Sequence, residues 1–170
     1  MPEVRDATEA DLGCILEITN EAIAHTTAIW SLTPATLETR RAWFRERTAR
    51  GFPILVAAQD GVVLGFGSFG DFRPWEGYLH TVEHSVYVQP EAQGRGIGTA
   101  LLVALVARAG TLGKHAMVAG IEGNNAASLA LHRRAGFEES GRLRQVGRKF
   151  DRWLDLVFMQ KLLATERAEI

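Results

Sequence analysis

Two spacings of apolar residues alternate along the chain, and together they predict a mixed order of strands and helices. Apolar residues three and four positions apart predict four helices, near residues 8–23, 33–50, 98–113 and 126–135. Short runs rich in β-branched and apolar residues predict strands at 4–5, 54–59, 62–69, 82–88, 115–121, 143–146 and 155–160. This order predicts an α/β (α+β mixed) sheet with helices on both faces.

Turn residues and glycines add evidence about the two strands at 54–59 and 62–69. Asp60-Gly61 between two apolar runs is a strong hairpin signal. In the second strand of that hairpin, Gly65 and Gly67 indicate close approach of another backbone or of a ligand.

The second predicted helix begins at Thr33-Pro34, where a threonine cap precedes a proline in the first turn, and runs to about Arg50. Glu38 and Glu46 interleave with its arginines. We therefore interpret these arginines as a solvated face: Arg40, Arg41, Arg45, Arg47 and Arg50.

Composition narrows the class of protein. At 170 residues, with 46% hydrophobic and 23% charged positions, the chain suits a single domain over 1–170, with about 164–170 as a frayed tail. A net charge of −1 disfavours a nucleic-acid partner. The single cysteine, Cys14, excludes an internal disulfide. With no signal-peptide pattern and no apolar run near the roughly 20 residues of a membrane span, we expect a cytoplasmic protein without membrane contact.

The strongest chemical signal is a strand that leads into a glycine-rich loop and then a helix. Pro90 ends the strand because proline cannot donate to a continuing ladder. Glycines follow at positions 94, 96 and 98, and a long apolar run begins at Thr99. The first N–H groups of a helix here are unpaired, and the glycines allow close approach of phosphate oxygens. The pattern predicts an anion site.

Two familiar phosphate loops do not fit this site. A Walker A loop requires a lysine, and no lysine precedes Lys114. The dinucleotide fingerprint requires a third glycine where Thr99 stands. The spacing Gln93-x-x-Gly96-x-Gly98 instead resembles the pyrophosphate loop of the GCN5-related N-acetyltransferases (GNAT), which holds the diphosphate of acetyl-CoA.

A second segment strengthens this resemblance. Asn125, Ser128 and His132 stand at i, i+3 and i+7 and share one helix face. In the resembled family an asparagine here contacts the pantetheine arm, and a tyrosine seven residues later protonates the leaving thiolate. Here His132 stands in place of that tyrosine. The chain therefore resembles the phosphinothricin and methionine sulfoximine acetyltransferase branch of the family, which carries histidine at this position. This resemblance covers residues 5–162.

The resemblance implies a GNAT fold, with a mostly antiparallel central sheet splayed at the cofactor site. It implies direct acetyl transfer from acetyl-CoA, in a ternary complex, to the α-amine of methionine sulfoximine, methionine sulfone or phosphinothricin. The implied acetyl-CoA contacts are Val86, Tyr87, Val88, Gln93, Gly94, Arg95, Gly96, Ile97, Gly98, Thr99, Asn125 and Ser128. No metal is expected, because His80 and His84 on one strand lie about 13 Å apart.

Transfer to an amine requires a base, and Glu83 is the candidate, acting directly or through a water. A structural ion pair is the alternative role for this glutamate. The backbone N–H groups of Val86 or Val88 are candidates to stabilise the thioester oxygen. His132 is the candidate acid for the leaving thiolate, and a purely structural helix histidine is the alternative.

For a small amino acid acceptor, Arg73 is the candidate partner of the carboxylate, since guanidinium and carboxylate match in a two-pronged geometry. The alternative is an arginine stacked on Trp75. Side-chain pocket candidates are Phe72, Trp75, Thr27, Ile29 and Trp30, although residues 27–30 could equally pack into the core. By resemblance alone, His84 and Lys149 are further polar contacts.

Two other functions stay open at this point. Within enzymes, the acceptor could be another amine, such as a protein N-terminus. From a different class, the domain could be a non-catalytic acyl-CoA sensor, although Glu83 and His132 argue against this. The resemblance also favours a homodimer, with Phe150 to Trp153 as a candidate contact.

Overall fold

Seven strands form one sheet in the order β1-β2-β3-β4-β5-β7-β6. The structure is a computed structural model that describes residues 2–163, so the predicted frayed tail lies outside the described residues. The strands are β1 (Glu3–Asp6), β2 (Ile54–Gln59), β3 (Val62–Asp71), β4 (Thr81–Val88), β5 (Ala116–Glu122), β6 (Glu138–Lys149) and β7 (Arg152–Leu162). The helices are α1 (Leu12–His25), α2 (Leu37–Ala49), α3 (Ile97–Thr111) and α4 (Ala126–Arg134).

The sheet is antiparallel everywhere except between its two central strands. β4 and β5 run parallel and pair over only three residues, Thr81–Glu83 against Ala116–Val118. Beyond Glu83, β4 continues to pair with β3, and β5 continues to pair with β7. The two central strands therefore separate into a fork, and the predicted splayed, mostly antiparallel sheet is confirmed.

Helices cover both faces of the sheet, as predicted. On one face, α3 and α4 pack a core that includes Leu101, Leu105 and Leu129; on the other, α1 packs against Val56 and Phe66. Within residues 2–163, no helix is both long and apolar enough to cross a bilayer.

Gly65 and Gly67 lie where α3 and β4 come close to β3, as the sequence indicated. A Cβ at Gly65 would lie 2.8 Å from the carbonyl oxygen of Tyr87, and one at Gly67 would lie 2.9 Å from a methyl group of Leu105. Real Cβ atoms do not approach other atoms this closely, so a side chain at Gly65 would force β4 away from β3, and one at Gly67 would force Leu105 and β4 to shift. The Asp60-Gly61 hairpin is also confirmed, with positive φ at both residues.

The second helix begins three residues later than the sequence predicted. Thr36, not Thr33, caps α2: its side chain accepts a hydrogen bond from the amide of Thr39, whose hydroxyl in turn accepts one from the Thr36 amide. This reciprocal pair satisfies two amides at once, and it outcompetes the Thr33-Pro34 signal. Leu37, the first residue of α2, is 37% exposed.

Candidate active site

The fork between β4 and β5 exposes backbone groups of β4. The carbonyl of Thr81 accepts from Phe72 beside β3, and the amide of Gln89 donates to Leu64. Because alternate residues of a strand bond to opposite neighbours, Val86 and Val88 direct their N–H and C=O groups toward β5, which is not paired there. This is the placement predicted for both valines.

Tyr87 is placed differently from the prediction. Its backbone bonds to β3, and its ring packs 5.3 Å from that of Phe66, on the α1 and α2 face of the sheet. This placement removes its backbone from the fork, and we assign Tyr87 to the cavity described below.

The glycine-rich loop presents a row of free amides beside the fork. Within residues 2–163, no protein group accepts a hydrogen bond from the amides of residues 94–99. Gly94 and Gly96 have φ values of 74° and 81°, a left-handed conformation that other residues rarely adopt. A Cβ at either position would meet nothing within 4 Å, so these glycines are required by the backbone conformation. The predicted anion site is therefore open.

Glu83 stands at the point where the fork opens. Its carboxylate extends over β5, where Gly120 leaves room: a Cβ at Gly120 would lie 3.3 Å from Oε1 of Glu83. Burial raises the pKa of Glu83, and the nearby positive charge of Arg73 opposes that shift. Within residues 2–163, Glu83 forms no ion pair closer than 4 Å. A half-buried, unpaired carboxylate with a raised pKa fits a base better than a structural ion pair.

His132 forms a buried pair with His84, on the opposite face of the sheet from Glu83. Each residue is 5% exposed, and their Nε2 atoms lie 3.0 Å apart. Nδ1 of His132 lies 2.7 Å from the carbonyl oxygen of Ser128, which can only accept, so Nδ1 carries the proton. Nε2 of His132 then accepts from Nε2–H of His84.

This pair bears on two predicted roles. Both ring nitrogens of His132 are engaged within the protein, which favours the structural alternative over the role of acid. His84 is buried against His132 and Phe137, away from Glu83, and this placement does not support a contact with the acceptor. The burial of the two rings thus makes them a packing unit behind β4.

We expect the buried pair to make the protein sensitive to acid. Burial, with the neighbouring His132, lowers the pKa of His84 to about 3. A group with a lowered pKa in the folded state contributes stability that is present above its ordinary pKa, near 6.5, and is lost as pH falls toward 3. The free energy of unfolding should therefore decrease by up to about 1.4 kcal/mol per pH unit in this window.

Urea unfolding at pH 7.5, 6 and 5 measures this slope. His84→Gln keeps a donor for His132 and should flatten the slope. His25→Gln, at an exposed helix position, should leave it as in the unmodified protein. Equal slopes for all three proteins would contradict the assignment to His84.

The predicted pantetheine contacts at the start of α4 are partly occupied by the helix itself. Oδ1 of Asn125 accepts from the amide of Ser128 and caps α4. The side-chain amide of Asn125 remains available as a donor. Capping fixes the orientation of this amide, because the other end of the side chain is held.

The segment between α1 and α2 is held by Lys149 from β6. The buried ammonium of Lys149 donates to the carbonyl oxygens of Thr26 and Ile29, each at 2.6 Å. Burial lowers the pKa of Lys149. Two of its three donors are thus used to hold this segment, so Lys149 supports the pocket wall. Its direct contact with the acceptor stays a prediction.

Of the residues predicted to form the pocket wall, some pack within the protein and one lines a cavity. The ring of Trp30 packs on Gly147, and its Nε1 donates to the carbonyl of Thr27. The hydroxyl of Thr27 donates to the buried Glu122 at the end of β5, a residue that the sequence did not single out. Ile29 lines the cavity described next.

A cavity of about 270 Å³ lies between this segment, α1, α2 and the sheet, on the same face as Glu83. Since paired residues of antiparallel strands share a face, Ser85 and Tyr87 of β4 line it together with Ser68 and Phe66 of β3. Its other lining residues are Thr19, Ile23, Ile29, Ser31, Thr33, Ala35, Arg40, Trp43 and Arg47.

The sequence predicted that the arginines of the second helix form one solvated face, and the structure contradicts this for two of them. Arg41, Arg45 and Arg50 are exposed, whereas Arg40 and Arg47 are half-buried and line the cavity. The spacing of Arg40, Trp43 and Arg47 at i, i+3 and i+7 was the available signal. The interleaved Glu38 and Glu46 hid this signal, because they suggested a wholly solvated helix although neither of them lines the cavity.

Arg73 lies on the exposed loop after β3, close enough to influence the pKa of Glu83. Its guanidinium carbon lies 4.1 Å from the ring centroid of Phe72, and Nη1 donates to the Phe72 carbonyl. Arg73 therefore stacks on Phe72, and not on Trp75 as the alternative predicted. Trp75 is 68% exposed, so it does not enclose a pocket within the described residues of this chain.

Among residues 2–163, no group of three or more histidine, cysteine, aspartate or glutamate side chains is arranged to hold a metal ion. The site thus consists of a fork, a loop of free amides, a carboxylate and an arginine-lined cavity.

Comparisons with known proteins agree with this geometry. The family profile described as "Acetyltransferase (GNAT) family" matches residues 15–137. An L-methionine sulfoximine/L-methionine sulfone acetyltransferase from Pseudomonas paraeruginosa is 56% identical over 97% of this chain and 96% of its own length.

Solved structures are also similar over almost the whole chain. The ribosomal-protein-alanine N-acetyltransferase from Brucella melitensis has a TM-score of 0.93 and 53% identity, covering 95% of this chain and 99% of its own. A phosphinothricin acetyltransferase from Sinorhizobium meliloti, in complex with acetyl-CoA, has a TM-score of 0.95 and 40% identity, covering 99% and 92%.

Proposed function

This chain belongs to the GNAT family of acetyltransferases, and from that premise we propose that it acetylates the α-amine of small amino acid analogues. Methionine sulfone, methionine sulfoximine and phosphinothricin are the proposed acceptors, because relatives carry these activities in their names. Acetyl-CoA is the proposed co-substrate, and transfer is direct within a ternary complex.

The observation that carries this proposal is the juxtaposition of the fork with the free amides of residues 94–99. The fork leaves the backbone groups of Val86 and Val88 free to pair with the amides of a pantetheine arm, as an added strand would. The amides at the start of α3 lie beside it without protein acceptors, so they suit a diphosphate. The residues present therefore fit acetyl-CoA.

Different groups of the chain are proposed to perform the separate steps of the transfer at the fork. Acetyl-CoA supplies a thioester, whose carbonyl carbon is attacked by the neutral amine. A C–N bond forms, the C–S bond breaks and CoA leaves as the thiolate, which takes up the second proton released by the nitrogen. Glu83 accepts the proton of the acceptor's ammonium, directly or through a water. The N–H of Val86 or Val88 stabilises the thioester oxygen. We assign no acid role to His132, since CoA thiolate is a good leaving group.

Arg73 is the proposed partner of the acceptor's carboxylate. Its electrostatic effect on Glu83 supports this role, because an α-amino acid places its carboxylate one carbon from the amine. A guanidinium held on Phe72 is oriented in advance for two-pronged binding. We also propose a cytoplasmic location, in keeping with the single cysteine. From the family we propose a homodimer, whose contact includes the exposed Phe150 and Trp153.

A thiol-release assay tests the proposed function. The purified protein, acetyl-CoA and each candidate amine are combined, and free CoA is measured. We expect release with methionine sulfone, methionine sulfoximine or phosphinothricin, and much less with a peptide that begins with alanine. Preferred release with that peptide would favour a protein N-terminus as acceptor. Acetyl-CoA binding without release for any amine would favour the sensor.

A further inference from the structure

The arginine-lined cavity holds two positive charges that no described acidic residue neutralises at close range. Within residues 2–163, no carboxylate lies within 4 Å of the guanidinium of Arg40 or Arg47. Glu46 and Asp71 influence Arg47 from farther away, beside a smaller neighbouring cavity of about 180 Å³. The larger cavity is therefore electropositive on its α2 side.

The two guanidiniums are held in place and have donors to spare. Their central carbons lie 4.7 Å (Arg40) and 5.8 Å (Arg47) from the ring centroid of Trp43. Nη1 of Arg47 donates to the hydroxyl of Ser68, and the guanidinium rests on Gly70, where a Cβ would lie 2.9 Å from its central carbon. Nε of Arg40 is buried and has no partner among the described residues.

Such an arrangement is costly in the free protein. Burial lowers the pKa of both arginines, and the charge of Arg40 adds to the shift of Arg47. A buried donor without a partner and a half-buried cation without a counter-ion both raise the free energy of the folded state. A ligand with oxygen acceptors that bonds to the Nη groups would offset the cost of the two unneutralised charges.

The register of β3 and β4 relates the cavity to Glu83, the proposed base. Gly70, under Arg47, pairs across the strands with Glu83. Glu83 leans the other way, toward Gly120 on β5. Glu83 nevertheless lies close enough to Tyr87, which lines the cavity, to influence the pKa of that phenol. A small amino acid whose amine meets Glu83 can therefore direct its side chain toward the cavity, while Arg73 serves its carboxylate.

Resting on the proposed function, we infer that Arg40 and Arg47 bind the side-chain oxygens of the acceptor and select for tetrahedral sulfonyl or phosphinyl groups. Trp43, Phe66 and Ile23 surround the methylene groups of such a side chain with apolar surface. A thioether of the same length offers no oxygen to the two guanidiniums, so it leaves their donors unpaired. The cavity is thereby a specificity-determining subsite.

The test compares methionine sulfone with methionine, which differ only in the sulfur oxygens. Arg47→Met and Arg40→Met keep most of the side-chain volume and remove the donors. Each should lower the ratio of kcat/KM for the sulfone to that for methionine by about 10-fold or more. Arg45→Met, on the exposed side of the same helix, is the matched control and should leave the ratio unchanged.

Arg73→Ala separates the two arginine sites. It should raise KM for both amino acids to a similar extent, with the ratio preserved and KM for acetyl-CoA little changed. An unchanged ratio in both Arg40→Met and Arg47→Met, or an equal loss for both substrates, would overturn the inference.

Calorimetry with methionine sulfone keeps this inference distinct from the proposed function. If the protein transfers no acetyl group but binds the sulfone more tightly than methionine, and Arg47→Met abolishes that difference, the subsite stands and the proposed function fails. If binding does not distinguish the two amino acids in the unmodified protein, the subsite fails.

Discussion

Glu83→Gln is expected to lower kcat by about 10²- to 10⁴-fold, the usual contribution of a positioned general base. Glutamine keeps the size of the side chain over Gly120 but cannot accept the ammonium proton. The dissociation constant of acetyl-CoA should change little, because the loop of free amides and the fork remain intact. Steady-state kinetics with methionine sulfone, together with calorimetry for acetyl-CoA, measure the two effects separately.

The free energy of unfolding distinguishes a loss of catalysis in Glu83→Gln from a loss of folded protein. The raised pKa of Glu83 means that folding disfavours its ionised form. That stability contribution is present below the ordinary pKa of glutamate and is lost as pH rises through the raised value, so at pH 7.5 the neutral glutamine should unfold no earlier than glutamate.

Two further measurements bear on the same residue. The acid limb of the kcat/KM profile should lie above the ordinary glutamate range, since activity requires the ionised carboxylate. Glu138→Gln, at an exposed position on β6, serves as the control for a generic loss of charge. Full turnover in Glu83→Gln would remove this carboxylate from catalysis.

Thr99→Glu is expected to weaken acetyl-CoA binding by about 10- to 100-fold, through repulsion between the new carboxylate and the diphosphate. Thr99 is exposed and is the third residue of α3, whose first turn carries no acidic residue. A negative charge at this position stabilises a helix N-terminus by about 0.3–1 kcal/mol, so the variant should fold at least as well as the unmodified protein. Binding and stability therefore move in opposite directions.

Thr99→Gln is the matched control, with nearly the same shape and no charge. Its dissociation constant for acetyl-CoA, measured by calorimetry, should remain within a few-fold of the original value. The difference between the two variants should shrink as salt is added, since the site is exposed. Equal affinities for the glutamate and glutamine variants would mean that the diphosphate binds elsewhere.

Most of the fold could be predicted from the sequence because its signals are local. The Asp60-Gly61 turn, the proline after β4 and the glycines of the loop each act through their own backbone conformation. The start of α2 was misplaced for a related reason. Two threonine caps compete within four residues, and a reciprocal hydrogen bond between Thr36 and Thr39 decides between them.

The contents of the site were less predictable, because they depend on contacts between distant residues. His84 and His132 are 48 positions apart and meet only because α4 packs behind β4. Lys149 reaches the carbonyl of Thr26 across 123 positions. Arg40 and Arg47 differ from their exposed neighbours only in which side of α2 faces the sheet.

By itself, the sequence determined the order of elements and the loop of free amides at the start of α3, and it supplied Glu83 as the candidate base. The first two depend on residues within a few positions of one another. Only the tertiary structure decided where β4 leaves β5, which face of that strand meets the cavity and which arginines line it. These features follow from the order of strands in the sheet and from the packing of helices on its two faces. Local preferences of the chain do not specify either one.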